Sequence, residues 1–124
     1  MLHDARPICF VATRDPSRAR AFYEGILGLT CEADEPWALV FDLAGTMLRV
    51  QKAEELHAQP FTVLGWHVED IAKVVAELSG KGVRFERYNH MQQDELGVWR
   101  APSGARVAWF RDPDRNLLSL TQFA

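Results

Sequence analysis

A strand, a capped helix and further strands occur twice in this chain at nearly constant offset, and that repeat restricts the fold more than any other feature. Ile8 to Ala12 reads as the first strand. Asp15-Pro16 then opens a helix, with aspartate at the N-cap and proline at the first helical position. Ala19, Phe22 and Ile26 recur at three- and four-residue steps and make one apolar stripe, and Gly28 ends the helix. Leu29 to Glu32, Trp37 to Leu43 and Thr46 to Gln51 follow as strands, the last two joined at Ala44-Gly45. The second copy begins with a strand from Phe61 to Val68, after which Asp70 caps a helix lined by Ile71, Val74, Val75 and Leu78 and stopped at Lys81-Gly82. The capping aspartates stand 55 residues apart, from 15 to 70, and the stopping glycines 54 apart, from 28 to 82.

After the second helix, Val83 to Arg87, a stretch around Val98 to Ala101, Arg106 to Arg111 and Leu117 to Gln122 are expected to be strands. The last two flank Asp112-Pro113-Asp114-Arg115-Asn116, residue types that close tight turns, which makes a terminal β-hairpin. Each module therefore has a sheet with one face under a helix and another that needs covering. Two such sheets set face to face satisfy both and enclose a curved cavity.

Length and composition agree with a single domain, residues 1–124, made of one module at about 5–55 and another at about 60–124. Hydrophobic residues are 48% and charged residues 25%, the balance of a folded protein rather than a disordered one. A net charge of −3 with no basic block argues against nucleic acid as a partner. The apolar run Ile8 to Ala12 is too short for a membrane span or a signal-peptide core, so a cytoplasmic location without membrane attachment is expected. Cys9 and Cys31 form no C-x-x-C pair and are expected to be reduced.

Phe22-Tyr23-Glu24-Gly25-Ile26-Leu27-Gly28-Leu29 resembles the first helix and exit of the vicinal oxygen chelate superfamily, the glyoxalase, bleomycin-resistance and extradiol-dioxygenase group. Phe110-Arg111-Asp112-Pro113-Asp114-Arg115-Asn116-Leu117-Leu118 resembles its terminal hairpin. Here Arg115 replaces the usual glycine, and Asn116 is expected to offset this by taking φ > 0. The resemblance covers essentially the whole chain and implies an α+β fold: two βαβββ modules forming a curved mixed sheet around a cavity. It also implies a homodimer.

Catalytic members hold a divalent metal with four side chains on the first and last strands of each module. Carried over, those positions fall near Ile8, Arg49, Val63 and Ser119, none of which is a good ligand for such an ion. No cofactor is therefore expected. Alternation places Cys9, Val11, Leu48, Val50, Leu64, Val68, Leu118 and Leu120 beneath the helices. Ile8, Phe10, Met47, Arg49, Gln51, Val63, Gly65, His67, Ser119 and Thr121 then face the cavity, with Trp109 opposite Ser119.

Among these, Arg49 suits a ligand carboxylate or phosphate; its ordinary role would be a salt bridge to a carboxylate such as Asp42 or Glu86, or simple exposure at the cavity mouth. His67 suits a general base, or ordinarily a strand-end histidine bonded to a loop. His90 sits with Asn89, Met91 and Gln92 in a loop placed to lid the cavity. Trp99 and Trp109 suit flat walls for a planar ligand, or plain packing, and Trp66 belongs to the core. Ser119 has no His–Asp partnership, so nucleophilic catalysis has no support.

The expectation is a metal-independent small-molecule-binding protein that sequesters an anionic or aromatic organic ligand, or an antibiotic. Its site residues are Phe10, Arg49, Gln51, His67, Trp99, Trp109 and Ser119. The alternatives are a metal-dependent lyase, isomerase or dioxygenase with unusual ligands such as His67, His90 and Glu86, a metal-free acid–base enzyme using His67 and Arg49, and a non-catalytic interaction module.

Overall fold

A computed structural model describes residues 1–124, which divide into two compact units, Met1–His57 and Ala58–Ala124. The first contains β1 (Ile8–Thr13), α1 (Pro16–Arg20), a π-helical turn (Ala21–Ile26), β2 (Thr30–Asp34), β3 (Ala38–Leu43) and β4 (Thr46–Lys52). Its sheet has the order β1-β4-β3-β2, with β1 parallel to β4 and the other pairs antiparallel. The second contains β5 (Thr62–His67), α2 (Ile71–Gly80), β6 (Trp99–Arg100), β7 (Arg106–Arg111) and β8 (Leu117–Gln122). Its order, β5-β8-β7-β6, repeats the first unit's topology, again with one parallel pair, β5 and β8. The fold is thus two four-stranded mixed sheets with few helices, as the repeat requires.

Both helices start where the sequence places them. Asp15 Oδ1 accepts the Arg18 N–H at 3.2 Å, and Asp70 Oδ1 accepts the Lys73 N–H at 3.2 Å. Such a cap contributes about 1 kcal/mol. Gly28 and Gly82 follow the helical segments with φ of +75° and +93°, a region that a Cβ disfavours.

The first helix departs from the single α-helical stripe. After Arg20 its hydrogen bonds widen to five-residue steps, so that Leu27 N–H reaches Phe22 O at 2.9 Å. The wider turn buries the successive rings of Phe22 and Tyr23 and leaves Ile26 half-buried. Tyr23 meets Phe22 edge-on at 5.2 Å and Phe41 at 5.8 Å, and with Leu39, Leu48 and Val50 makes the core of this unit.

Val83 to Arg87 does not form the expected strand. It contributes one bridge, Phe85 to Phe110, and a bond from Glu86 N–H to Trp109 O. Beyond that, side chains take the backbone groups a ladder would have used: Gln93 Oε1 accepts the Tyr88 N–H, Gln93 Nε2 donates to the carbonyls of Glu86 and Gly97, and Arg87 donates to those of Asp94 and Glu95. The core of the second unit is Phe110, Leu118, Ala108, Ile71 and Val75, where α2 lies on β7 and β8.

In the terminal hairpin Arg115 itself takes the left-handed conformation, φ +73°, and Asn116 does not. Asn116 instead serves the turn through Asp112. The Asp112 carboxylate accepts from the backbone N–H groups of Asp114 and Asn116 and from Asn116 Nδ2, all within 2.9 Å. A buried side-chain acceptor pins the turn, so the strained residue is the one left free to point outward.

Candidate functional site

The face of the second sheet turned away from α2 carries Trp99, Val107, Trp109, Leu117 and Ser119, because residues two apart on a strand share a face and Trp109 pairs with Ser119. Trp99 and Trp109 lie 6.1 Å apart between ring centroids, and Tyr88 meets Trp109 edge-on at 5.7 Å. Beside Trp109 opens a cavity of about 330 Å³ lined by Pro60, Phe61, Thr62, Tyr88, His90, Met91, Trp109 and Leu117. It lies wholly within the second unit.

The cavity is built from three directions. Register puts Thr62 beside Leu117, so the start of β5 forms one wall. The β7 residue Trp109 forms the floor. The segment 86–97 supplies Tyr88, His90 and Met91, and Gln93 fixes it through its three amide bonds. Glu86, at the start of this segment, is held by Arg111, Nε to Oε1 at 2.8 Å.

Chemically the lining is aromatic with a few polar tips, the composition of a small-molecule site. Burial, reinforced by the Glu86 charge and opposed by Arg111, pushes the Tyr88 phenol above its ordinary pKa of 10.0. The phenol is therefore neutral at physiological pH and able to donate a hydrogen bond. The His90 ring, 5.9 Å from Tyr88, engages it by ring contact.

Of the residues singled out from sequence, Trp109 and His90 line this cavity, Trp99 backs Trp109, and Ser119 sits across the ladder from Trp109. His67 lies outside it. Its ring rests edge-on against Phe123 at 5.1 Å rather than bonding to a loop. Trp66 stacks on Phe110 at 6.4 Å on the core side.

Phe10, Arg49 and Gln51 belong to the first unit. Phe10 pairs with Arg49 across β1 and β4, Gln51 follows two residues on, and Phe10 is 49% exposed. The carboxylate partner of Arg49 is Glu35, Nη2 to Oε1 at 2.7 Å, and not Asp42 or Glu86. Both of those are committed elsewhere, Asp42 to the Gly45 N–H in the β3–β4 turn and Glu86 to Arg111.

Sequence reasoning missed Pro60, Phe61, Thr62, Tyr88 and Leu117, and had Met91 only as a neighbour of His90 in its loop. Leu117 was within reach, since it alternates with Ser119 on a strand whose placement is right. Tyr88 was not, because its position follows from the Gln93 bonds, which no periodicity announces.

The four positions carried over for a metal, Ile8, Arg49, Val63 and Ser119, do not fit such a group. Two are hydrocarbon, Arg49 is a cation joined to Glu35, and Ser119 offers one neutral hydroxyl. In neither unit do three or more His, Cys, Asp or Glu side chains gather as metal ligands.

Two units of the same βαβββ topology, one carrying an aromatic cavity on its sheet, define a fold of the glyoxalase type. Residues 7–120 match the Glyoxalase/Bleomycin resistance protein/Dioxygenase superfamily, and the chain belongs to it. It is 39% identical over 70 residues to YraH of Bacillus subtilis, across 56% of this chain and 48% of that protein, so it spans about half the length of that curated relative. Its fold is similar to a lactoylglutathione lyase from Agrobacterium tumefaciens, with a TM-score of 0.74 at 18% identity over 96% of this chain and 93% of the other. It is likewise similar to the fosfomycin resistance protein FosX from Listeria monocytogenes, with a TM-score of 0.77 at 14% identity over 98% and 94%. At these identities the likeness shows the fold alone. No helix is long and apolar enough to cross a membrane.

Proposed function

We propose that this chain binds a small organic molecule without a bound metal, holding it against Trp109 in the cavity of the second unit. The observation that carries this reading is the cavity itself, lined by the rings of Phe61, Tyr88 and Trp109 and the His90 imidazole, with the Tyr88 phenol as a hydrogen-bond donor. A planar ligand would lie along Trp109 and receive a hydrogen bond from Tyr88 or His90. On the first unit, the sequence reading assigns Arg49 and Gln51 as polar anchors and Phe10 as an apolar wall. Arg49 recruits an anionic group only by sharing its guanidinium with Glu35. Sequestration of an antibiotic is one form of this activity. A cytoplasmic homodimer, inferred from the resemblance and the composition, belongs to the same reading.

The acid–base alternative has less support, since His67 rests on Phe123 and Arg49 is paired with Glu35. Tryptophan-fluorescence titration and thermal shift with a panel of aromatic acids, planar antibiotics and fosfomycin test the proposal. A true ligand at 100 times its Kd stabilises the fold by about 2.7 kcal/mol, and Trp109→Ala removes the response. Elemental analysis after purification with added nickel, zinc, manganese or ferrous iron tests the metal clause; tight stoichiometric metal would sink it.

A further inference from the structure

Arg100 and Arg106 stand directly opposite one another as the last pair of the β6–β7 ladder. Neither guanidinium takes part in an ion pair or a hydrogen bond, although those of arginines elsewhere in the chain do. Opposite residues in an antiparallel pair bring their Cβ atoms to roughly 4.5–5.5 Å, where like charges destabilise the sheet. The chain nevertheless fixes the juxtaposition. Ala101 N–H donates to Ala105 O at 2.8 Å and Gly104 N–H to Ala101 O at 2.9 Å, closing the turn between the two arginines.

Both arginines line a cavity of about 420 Å³, with Gln92, Gln93, Asp94 and Val98 as the other walls. Asp94 is a loop organiser: its Oδ1 accepts the N–H groups of Leu96 and Val98, each at 2.9 Å, and it joins neither arginine. The Gln93 amide is spent on its own segment, whereas that of Gln92 is not. Two guanidiniums against one carboxylate leave the lining net positive. Arg106 shares its face of β7 with Ala108 and Phe110 and so lies on the opposite side of the sheet from Trp109.

We propose that the Arg100–Arg106 pair binds a phosphate-type oxyanion, free or as a phosphate monoester, at a site separate from the aromatic cavity. A dianion placed between the two forks accepts charge-assisted bonds from both and removes their mutual repulsion. Gln92 adds a neutral donor at the rim. The proposal stands independently of what the aromatic cavity holds.

Amide NMR of the full chain, titrated with inorganic phosphate and separately with glycerol 1-phosphate against matched sodium chloride, tests it. Saturable shifts at Ala101, Ala105 and Arg106 are expected, weakened by about tenfold or more in Arg100→Gln and Arg106→Gln. Both positions are exposed, and the spectral dispersion of each variant reports whether it is folded. Tighter saturation by the ester identifies a phosphate monoester as the ligand, and tighter saturation by phosphate the free ion. Succinate binding as tightly as either would overturn the phosphate assignment. So would shifts equal to those in chloride, or affinity unchanged in folded variants.

Discussion

Gly65 and Ser119 are side by side on parallel strands, and the hydroxyl of Ser119 fills the space that a side chain at 65 would need. A Cβ on Gly65 would lie 2.6 Å from Ser119 Oγ and 3.4 Å from Ser119 O. Gly65→Ala therefore forces the serine to another rotamer and should destabilise the protein by about 1 kcal/mol. Removing the hydroxyl as well, in Gly65→Ala with Ser119→Ala, should restore most of the loss. Urea unfolding of the four proteins gives the coupling, expected at about 0.5 kcal/mol or more; additive effects would show that the two residues do not compete for this space.

Arg115 holds φ +73° in the Asp112–Asn116 turn, a conformation that costs a residue with a Cβ roughly 1–2 kcal/mol. Arg115→Gly should raise the melting temperature by a few degrees, and Arg115→Val should lower it. Its side chain lies 3.9 Å from Glu86 and is largely exposed, so losing that contact matters little. Equal melting temperatures for the glycine and valine variants would contradict the strain argument.

Asp112 is 4% exposed and accepts three hydrogen bonds within its own turn. Asp112→Ala leaves two backbone N–H groups and the Asn116 amide without this acceptor and should destabilise by about 2–3 kcal/mol. Chemical denaturation measures this, and a loss below about 0.5 kcal/mol would mean that water or another acceptor replaces the carboxylate.

The pH dependence attributable to Tyr88 has a definite sign. Its folded-state pKa is raised, so the folded protein holds this proton more tightly than the unfolded chain does. That contribution is complete below about pH 10 and is lost as pH rises through the folded value. Wild type should thus lose stability relative to Tyr88→Phe only on the alkaline limb, in paired unfolding curves taken across that range. A divergence confined to neutral or acid pH would contradict this.

Gln93 joins Tyr88, Glu86 and Gly97 through one amide. Gln93→Ala should speed hydrogen exchange at the Tyr88 amide and weaken any ligand of the Trp109 cavity, with α2 exchange unchanged. Gln93→Glu keeps the acceptor for Tyr88 but loses the donor, so it should fall between wild type and Gln93→Ala. Protection at Tyr88 identical in all three would remove Gln93 as the keystone of the segment.

Local chemistry made much of this protein readable in advance. Asp15-Pro16, Asp70, Gly28 and Gly82 mark helix ends because each acts on a backbone group within a few residues of itself. Strand alternation placed Trp109 opposite Ser119 and sorted Leu48, Val50, Leu118 and Leu120 into the core, since a period of two needs no distant information. The same local reading failed at Val83 to Arg87, where the Glu86 carbonyl goes to the Gln93 side chain and Arg87 reaches the carbonyls of Asp94 and Glu95, instead of a ladder. It also missed the widening of the first helix around Phe22 and Tyr23, where Tyr23 meets Phe41 of another strand.

The functional residues divide along the same line. Sequence alone determined that Ile8, Arg49, Val63 and Ser119, near which the resemblance puts the metal positions, are poor ligands, because ligand chemistry belongs to side-chain type. Only tertiary structure decided that Arg49 pairs with Glu35, that Tyr88 and Met91 join Trp109 around one cavity, and that Arg100 and Arg106 face each other without an ion-pair partner. Those outcomes depend on which groups meet across strands and loops, and a linear pattern does not encode such meetings until the backbone has closed.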